Sequence, residues 1–343
     1  MLKKTLLILA IVIAILITIV TVYIYSSGID FSDEDVQRME AAILAPLSKQ
    51  VGTEGFARNG ETTIWYDVHT PTDSLRGTVV LIMGLSADAL AWPKFFIQGL
   101  TDAGYQVVRL DNRGVGMSDW DDFDPEEPYT LTDMSLDVLA VLDTLGIEKA
   151  HICGVSLGGM IGQTLCIEFP ERALSLTSIM STPDIMNPDL PKLKMMLLVR
   201  IAACAFRYRL VKSELNAIKF SLTTRSILMG PEKYELDIER IAQLTLYNLR
   251  HRNGANPLSG EQQTTAVEVS GSRVEALKTL QTPTLVVHGI TDPLIPFEHG
   301  LKTAELVPNS ETLWIDGMGH IIPEAYSDTI ITRMIDMFGK TEM

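Results

Sequence analysis

Seven short runs of apolar or alternating residues, at 62–69, 78–83, 106–110, 150–153, 174–180, 284–287 and 311–315, most restrict the fold open to this chain. The run Thr78-Val79-Val80-Leu81-Ile82-Met83 is almost continuously apolar, as expected of a strand covered on both faces of a parallel sheet. Helical spacing of apolar residues marks 91–103, 131–145, 157–169, 297–306 and 323–338. This alternation predicts an α/β fold: a mostly parallel sheet with helices on both faces and its chemistry on loops at the carboxyl ends of strands. The rhythm stops over 183–280, which reads as helix without a convincing strand. The expectation is a helical cap inserted between core segments 60–182 and 281–343.

Residues 6–25 carry no charge and are nearly all Leu, Ile, Val and Ala. Twenty helical residues span about 30 Å, one hydrocarbon thickness. Lys3 and Lys4 precede the run, and Asp30, Asp33, Glu34 and Asp35 follow it. The positive-inside rule therefore predicts a single-pass transmembrane signal-anchor over 1–28, with a cytoplasmic N-terminus and an extracytoplasmic body. Ser26-Ser27-Gly28 also suits signal-peptide cleavage, which would give a secreted body. Residues 29–59 read as a juxtamembrane helix and linker, with Val36, Met39, Ile43, Leu44 and Leu47 on one face.

Charge narrows the partners. The formal net charge is −15, from 28 Lys plus Arg against 43 Asp plus Glu, so the chain would be repelled by phosphate backbones and nucleic-acid binding is not expected. Composition, at 46% hydrophobic and 21% charged residues, excludes disorder, collagen and coiled coil. Cys153, Cys166 and Cys204 form neither a disulfide framework nor a metal-spaced cluster, and the acidic run 117–137 lacks the ligand spacing of a calcium loop. No metal or organic cofactor is expected. Residues 185–252 hold twelve Lys or Arg against six Asp or Glu. Within them, 193–210 reads either as a cap helix with an apolar inner face or as a basic amphipathic helix on an anionic membrane.

The chemistry centres on Gly154-Val155-Ser156-Leu157-Gly158, between the apolar run 150–153 and a helix. A strand turning directly into a helix needs glycines around the corner and presents the serine Oγ at the sheet's carboxyl edge. Serine needs a base and the base an orienting carboxylate. Asp292 follows the run 284–287, and His320 follows the run 311–315 in Asp316-Gly317-Met318-Gly319-His320. Asp184, beyond the run 174–180, is a rival acid. His288 reads as a core histidine, and Asp111-Asn112-Arg113-Gly114 as a turn with Arg113 paired to an internal carboxylate. The backbone N–H of Leu157 and, after Gly84, that of Leu85 are the candidate oxyanion donors.

From about residue 60 onward the chain resembles the α/β-hydrolase superfamily. Leu81-Ile82-Met83-Gly84-Leu85, Trp92-Pro93, Arg109-Leu110-Asp111-Asn112-Arg113-Gly114 and Gly317-Met318-Gly319-His320 are similar to the branch of aclacinomycin methylesterase-like esterases. The order Ser156, Asp292, His320 is that of the superfamily. Many members carry His-Gly where this chain has Met83-Gly84, which alters a pocket wall while leaving the backbone donor in place. The resemblance implies a serine hydrolase acting on a small hydrophobic carboxylic ester. Amide or peptide cleavage, or cofactor-free haloperoxidase chemistry, is the alternative on this fold, and a non-enzymatic sensor of a hydrophobic ligand is the alternative of another class.

Overall fold

The computed structural model describes residues 18, 22–120, 123–232 and 234–341. The chain forms two compact units. The smaller comprises the described residues within Met1–Ser48, Lys194–Met229 and Lys233–Leu246, and the larger those within Lys49–Leu193, Gly230–Glu232 and Tyr247–Met343.

The larger unit is built on one eight-stranded sheet: β1 (Thr53–Asn59), β2 (Thr62–His69), β3 (Gly77–Ile82), β4 (Tyr105–Leu110), β5 (Ala150–Val155), β6 (Ala173–Ile179), β7 (Thr284–Gly289) and β8 (Glu311–Ile315), in the order β1-β2-β4-β3-β5-β6-β7-β8. The pairs β1–β2 and β2–β4 are antiparallel and every later pair is parallel. Side chains alternate faces along a strand, and the two cores follow from that alternation. On β3, Val80 and Ile82 enter one core while Val79 and Leu81 enter the other. Leu131–Thr144 and Leu157–Glu168 complete the first core, and Lys94–Asp102 and Glu324–Thr341 the second. The expected α/β architecture is thus present.

Four elements differ from expectation. Thr53–Asn59, within the stretch read as linker, is the edge strand β1; only Ala57 on it is buried, so it lacks an apolar signature. The helix expected from residue 91 starts at Lys94, because Pro93 occupies its N-cap and a short 3-10 turn, Ala89–Ala91, precedes it. Ser259–Ser270 and Val274–Leu277, which fall in the expected cap, belong to the larger unit.

In the smaller unit, Asp33–Leu44 begins at a capping box in which the Ser32 side chain accepts from Asp35 N–H and the Asp35 side chain accepts from Ser32 N–H. Met39 and Ala42 pack with Ile218, Leu222, Ile238, Ile241, Ala242 and Leu246, and Ile43 and Leu47 flank this core. Leu44, expected on the same face, is 88% exposed because the helix ends there and Ala45 is extended. Among the described residues no helix is long and apolar enough to cross a membrane. Most of the segment 6–25 read as an anchor lies outside the described residues.

Candidate active site

Ser156 occupies the junction between β5 and the helix Leu157–Glu168, with φ 55° and ψ −116°. This is a region L-residues rarely adopt. Its backbone is fixed on both sides: Ser156 N–H donates to Ile179 O at 2.8 Å, and Ser181 Oγ donates to Ser156 O at 2.7 Å. The flanking glycines are steric necessities. A Cβ on Gly158 would lie 2.1 Å from Ile82 O, and one on Gly154 would lie 2.1 Å from Gly158 O. The corner can therefore close only without those side chains.

The loop after β3 runs beside the serine. A Cβ on Gly84 would lie 3.2 Å from Ser156 Cβ. Met83 O accepts from Asn112 Nδ2 at 2.9 Å. Gln263 fixes the next turn, since its Oε1 accepts from Ser86 N–H at 2.8 Å while its Nε2 donates to Arg113 O at 3.0 Å. Among the described residues, the N–H groups of Leu85 and Leu157 take part in none of the turn hydrogen bonds around them. The Asp111–Gly114 turn is built as expected, with Arg113 donating to Asp137 through Nε at 2.7 Å and Nη2 at 2.6 Å. Asp111 accepts from Ala89 and Met117 N–H and pairs with Arg252, which lies over the Trp65 ring. Burial pushes the Asp111 carboxyl upward against the pull of Arg252.

Asp292 lies after β7 and His320 after β8, both at carboxyl ends of parallel strands like Ser156. His320 Nδ1 donates to Asp292 Oδ2 at 2.7 Å. That fixes the tautomer by its partner and leaves Nε2 as the basic nitrogen. The other carboxylate oxygen, Oδ1, accepts from Leu294 and Ile295 N–H at 2.8 and 2.9 Å. Asp184 instead accepts from Met186 N–H in its own turn, and Asp316 from Gly317 N–H. No hydrogen bond joins Ser156 Oγ to His320 among the described residues; such bonds are commonly long without substrate and tighten in the Michaelis complex.

His288 is a buried histidine, as read from the sequence, and it also abuts the acid. Its Nε2 donates to Ile295 O at 2.9 Å and lies 3.6 Å from Asp292 Oδ2. Burial lowers its pKa despite the nearby Asp292. Sequence reasoning had no signal for this contact or for Gln263, because both depend on how loops meet in space. Among the described residues, no group of three or more His, Cys, Asp or Glu is placed to hold a metal ion.

Comparison with known proteins agrees with the fold. The chain is 28% identical over 291 residues to rhodomycin D methylesterase DauP of Streptomyces sp. (strain C5), covering 79% of this chain and 93% of the relative. It is 27% identical over 293 residues to rhodomycin D methylesterase DnrP of Streptomyces peucetius, with the same coverage. The solved structure of 2-hydroxy-6-oxo-6-phenylhexa-2,4-dienoate hydrolase from Rhodococcus sp. strain RHA1 superposes with a TM-score of 0.62 at 22% identity, covering 83% of this chain and 98% of that one, a likeness of fold. A family model described as "alpha/beta hydrolase fold" matches residues 77–324, so the chain belongs to the alpha/beta hydrolase fold family.

Proposed function

We propose that this protein is a serine hydrolase that cleaves a small hydrophobic carboxylic ester with Ser156, His320 and Asp292. The observation that carries the reading is the 2.7 Å bond from His320 Nδ1 to a carboxylate already held by two backbone N–H groups, on strands whose carboxyl ends also carry the strained Ser156. His320 Nε2 takes the Ser156 proton as Oγ attacks the ester carbonyl. Asp292 stabilises the imidazolium, and the N–H groups of Leu85 and Leu157 bind the tetrahedral oxyanion. The carbon–alkoxide bond breaks, and the alcohol leaves with the proton from His320. Water, deprotonated by His320, then adds to the acyl-enzyme, and Ser156 departs with that proton. No metal or organic cofactor enters these steps. The two named methylesterase relatives favour an ester over an amide.

The test is turnover of p-nitrophenyl esters graded in acyl length, with fluorophosphonate labelling. Ser156→Ala should lose the label and reduce kcat by about four orders of magnitude or more at unchanged expression and fold. Full turnover by that variant would refute the reading; an unlabelled wild type that binds an apolar ligand tightly would favour the sensor instead.

The apolar, charge-free run 6–25, flanked by Lys3 and Lys4 before it and acids after it, supports anchoring to a membrane with the body on the extracytoplasmic side. Anchoring predicts that the full chain resists alkaline carbonate extraction and that its body is accessible to protease from the extracytoplasmic side. Recovery of a chain cleaved near Gly28 would show secretion.

A further inference from the structure

In the smaller unit the helix Met195–Arg209 has an unusual surface. Leu197, Ala203, Cys204 and Tyr208 are buried, and the opposite face, which a water-facing helix fills with polar residues, is mainly apolar, with Arg209 the one cation beside Phe206, its guanidinium laid over the Phe220 ring. Leu198, Val199 and Phe206 are exposed there, Phe206 by 55%, and Leu210 and Val211 continue the exposed apolar surface beyond the helix end. From Lys194 to Ser213 the sequence has five Lys or Arg and no Asp or Glu, with Lys194, Arg200, Arg209 and Lys212 exposed. Contiguous apolar surface rimmed by cations is the composition of an interfacial helix.

The position of this face identifies what covers it. Residues 22–26 are helical and end the apolar run, and they are tied to Met195–Arg209 itself. Tyr23 Oη donates to Met196 Sδ at 3.3 Å, Arg207 Nη1 donates to Tyr25 O at 2.8 Å with its guanidinium over the Tyr25 ring, and Cys204 Sγ donates to Ser27 O at 3.7 Å. A segment that leaves a bilayer at about residue 25 therefore delivers this helix to the headgroup layer. We propose that the exposed face of Met195–Arg209, through Val211, docks on a bilayer surface containing anionic lipid, with Leu198, Val199, Phe206 and Leu210 in the acyl boundary and Lys194, Arg200 and Lys212 among the headgroups. This rests on reading 6–25 as an anchor, and it adds a second, peripheral contact that orients the smaller unit.

The experiment uses the full chain carrying Phe206→Trp in nanodiscs of phosphatidylcholine with or without phosphatidylglycerol, including brominated lipid, with wild type subtracted to isolate the added indole. Docking predicts that brominated lipid quenches the added indole, with protection from aqueous acrylamide. Each exposed cation should favour the docked state roughly fivefold on an anionic leaflet, so Lys194→Glu with Lys212→Glu should abolish the extra quenching gained with phosphatidylglycerol. Protein that stays on the discs while the indole is quenched only by acrylamide would overturn docking and leave the anchor standing. Shielding from both quenchers would assign the face to protein and also overturn it. Failure to associate with the discs at all would overturn both readings.

Discussion

At Ser156 the reactive side chain and the backbone make opposing demands. Its φ of 55° and ψ of −116° cost on the order of 1–3 kcal/mol in a non-glycine residue, and the bonds to Ile179 and from Ser181 hold it there. Ser156→Gly should therefore unfold at higher denaturant than Ser156→Ala by about 1 kcal/mol, both without activity; equal midpoints would show the corner unstrained. His288 supplies a pH dependence. Burial, opposed by Asp292 and reinforced by His320 and His299, sets its folded pKa below the ordinary 6.5. As pH falls below about 6.5, the unfolded chain takes up a proton that the folded chain refuses, so stability is lost with a slope of up to about 1.4 kcal/mol per pH unit for this group. His288→Gln, which can still donate to Ile295 O, should flatten the stability profile between pH 6.5 and 5; an unchanged slope would show that His288 is not the group titrating. Residue identity and chain order were enough to name Ser156, Asp292 and His320 as candidates, of which the structure pairs the last two. The hold of Leu294 and Ile295 N–H on the Asp292 carboxylate, and the approach of His288 to it, were hidden because they follow from loop conformation, which has no periodic trace in a sequence.

The same distinction operates between elements. The loop bearing Leu85 is positioned from a distance by the helix Ser259–Ser270, through Gln263. That helix could not be assigned to the body from its sequence, since it buries Ser259, Gln262 and Gln263 along with Ala266 and Val267; polar residues enter a core only when hydrogen-bonded there, and the partners lie far away in the chain. β1 was unreadable for the opposite reason: Phe56 is 53% exposed and the strand is held mainly by its ladder to β2. The five runs that became β3 to β7 were readable because burial on both faces favours a predominantly apolar sequence. Gln263→Leu removes the hydrogen bonds at Ser86 N–H and Arg113 O, which should cost about 1–3 kcal/mol in stability. If Leu85 N–H acts on the oxyanion, that variant should lose kcat with little change in KM, because the displaced donor serves the transition state. A change confined to KM would assign the loop to substrate binding alone.

For the molecule as a whole, the average hydropathy of +0.18 and charge of −15 conceal unlike parts. The smaller unit gathers a helix from before the sheet with helices from the middle of the chain, so its stability depends on residues adjoining the proposed anchor. Ser27 is buried, and a side chain at Gly28 would meet Arg207 Nη1 at 3.1 Å, so this stretch is packed protein and not a spacer. Two truncations separate anchoring from packing. A chain beginning at Val22 removes most of the apolar run but keeps Tyr23, Tyr25 and Ser27 against Met195–Arg209; it should leave the membrane fraction in high salt, which screens the remaining basic contact, and retain full esterase activity and thermal stability. A chain beginning at Asp30 should also leave the membrane, but with the Ser27 and Tyr25 contacts gone and the Cys204 side of the helix uncovered, its smaller unit should unfold several degrees earlier, as about 1–2 kcal/mol of lost burial and hydrogen bonding implies. Identical melting of the two chains would show that residues 22–29 only tether the unit, and retention of the Val22 chain on membranes in high salt would show that residues 1–21 are not what anchors it.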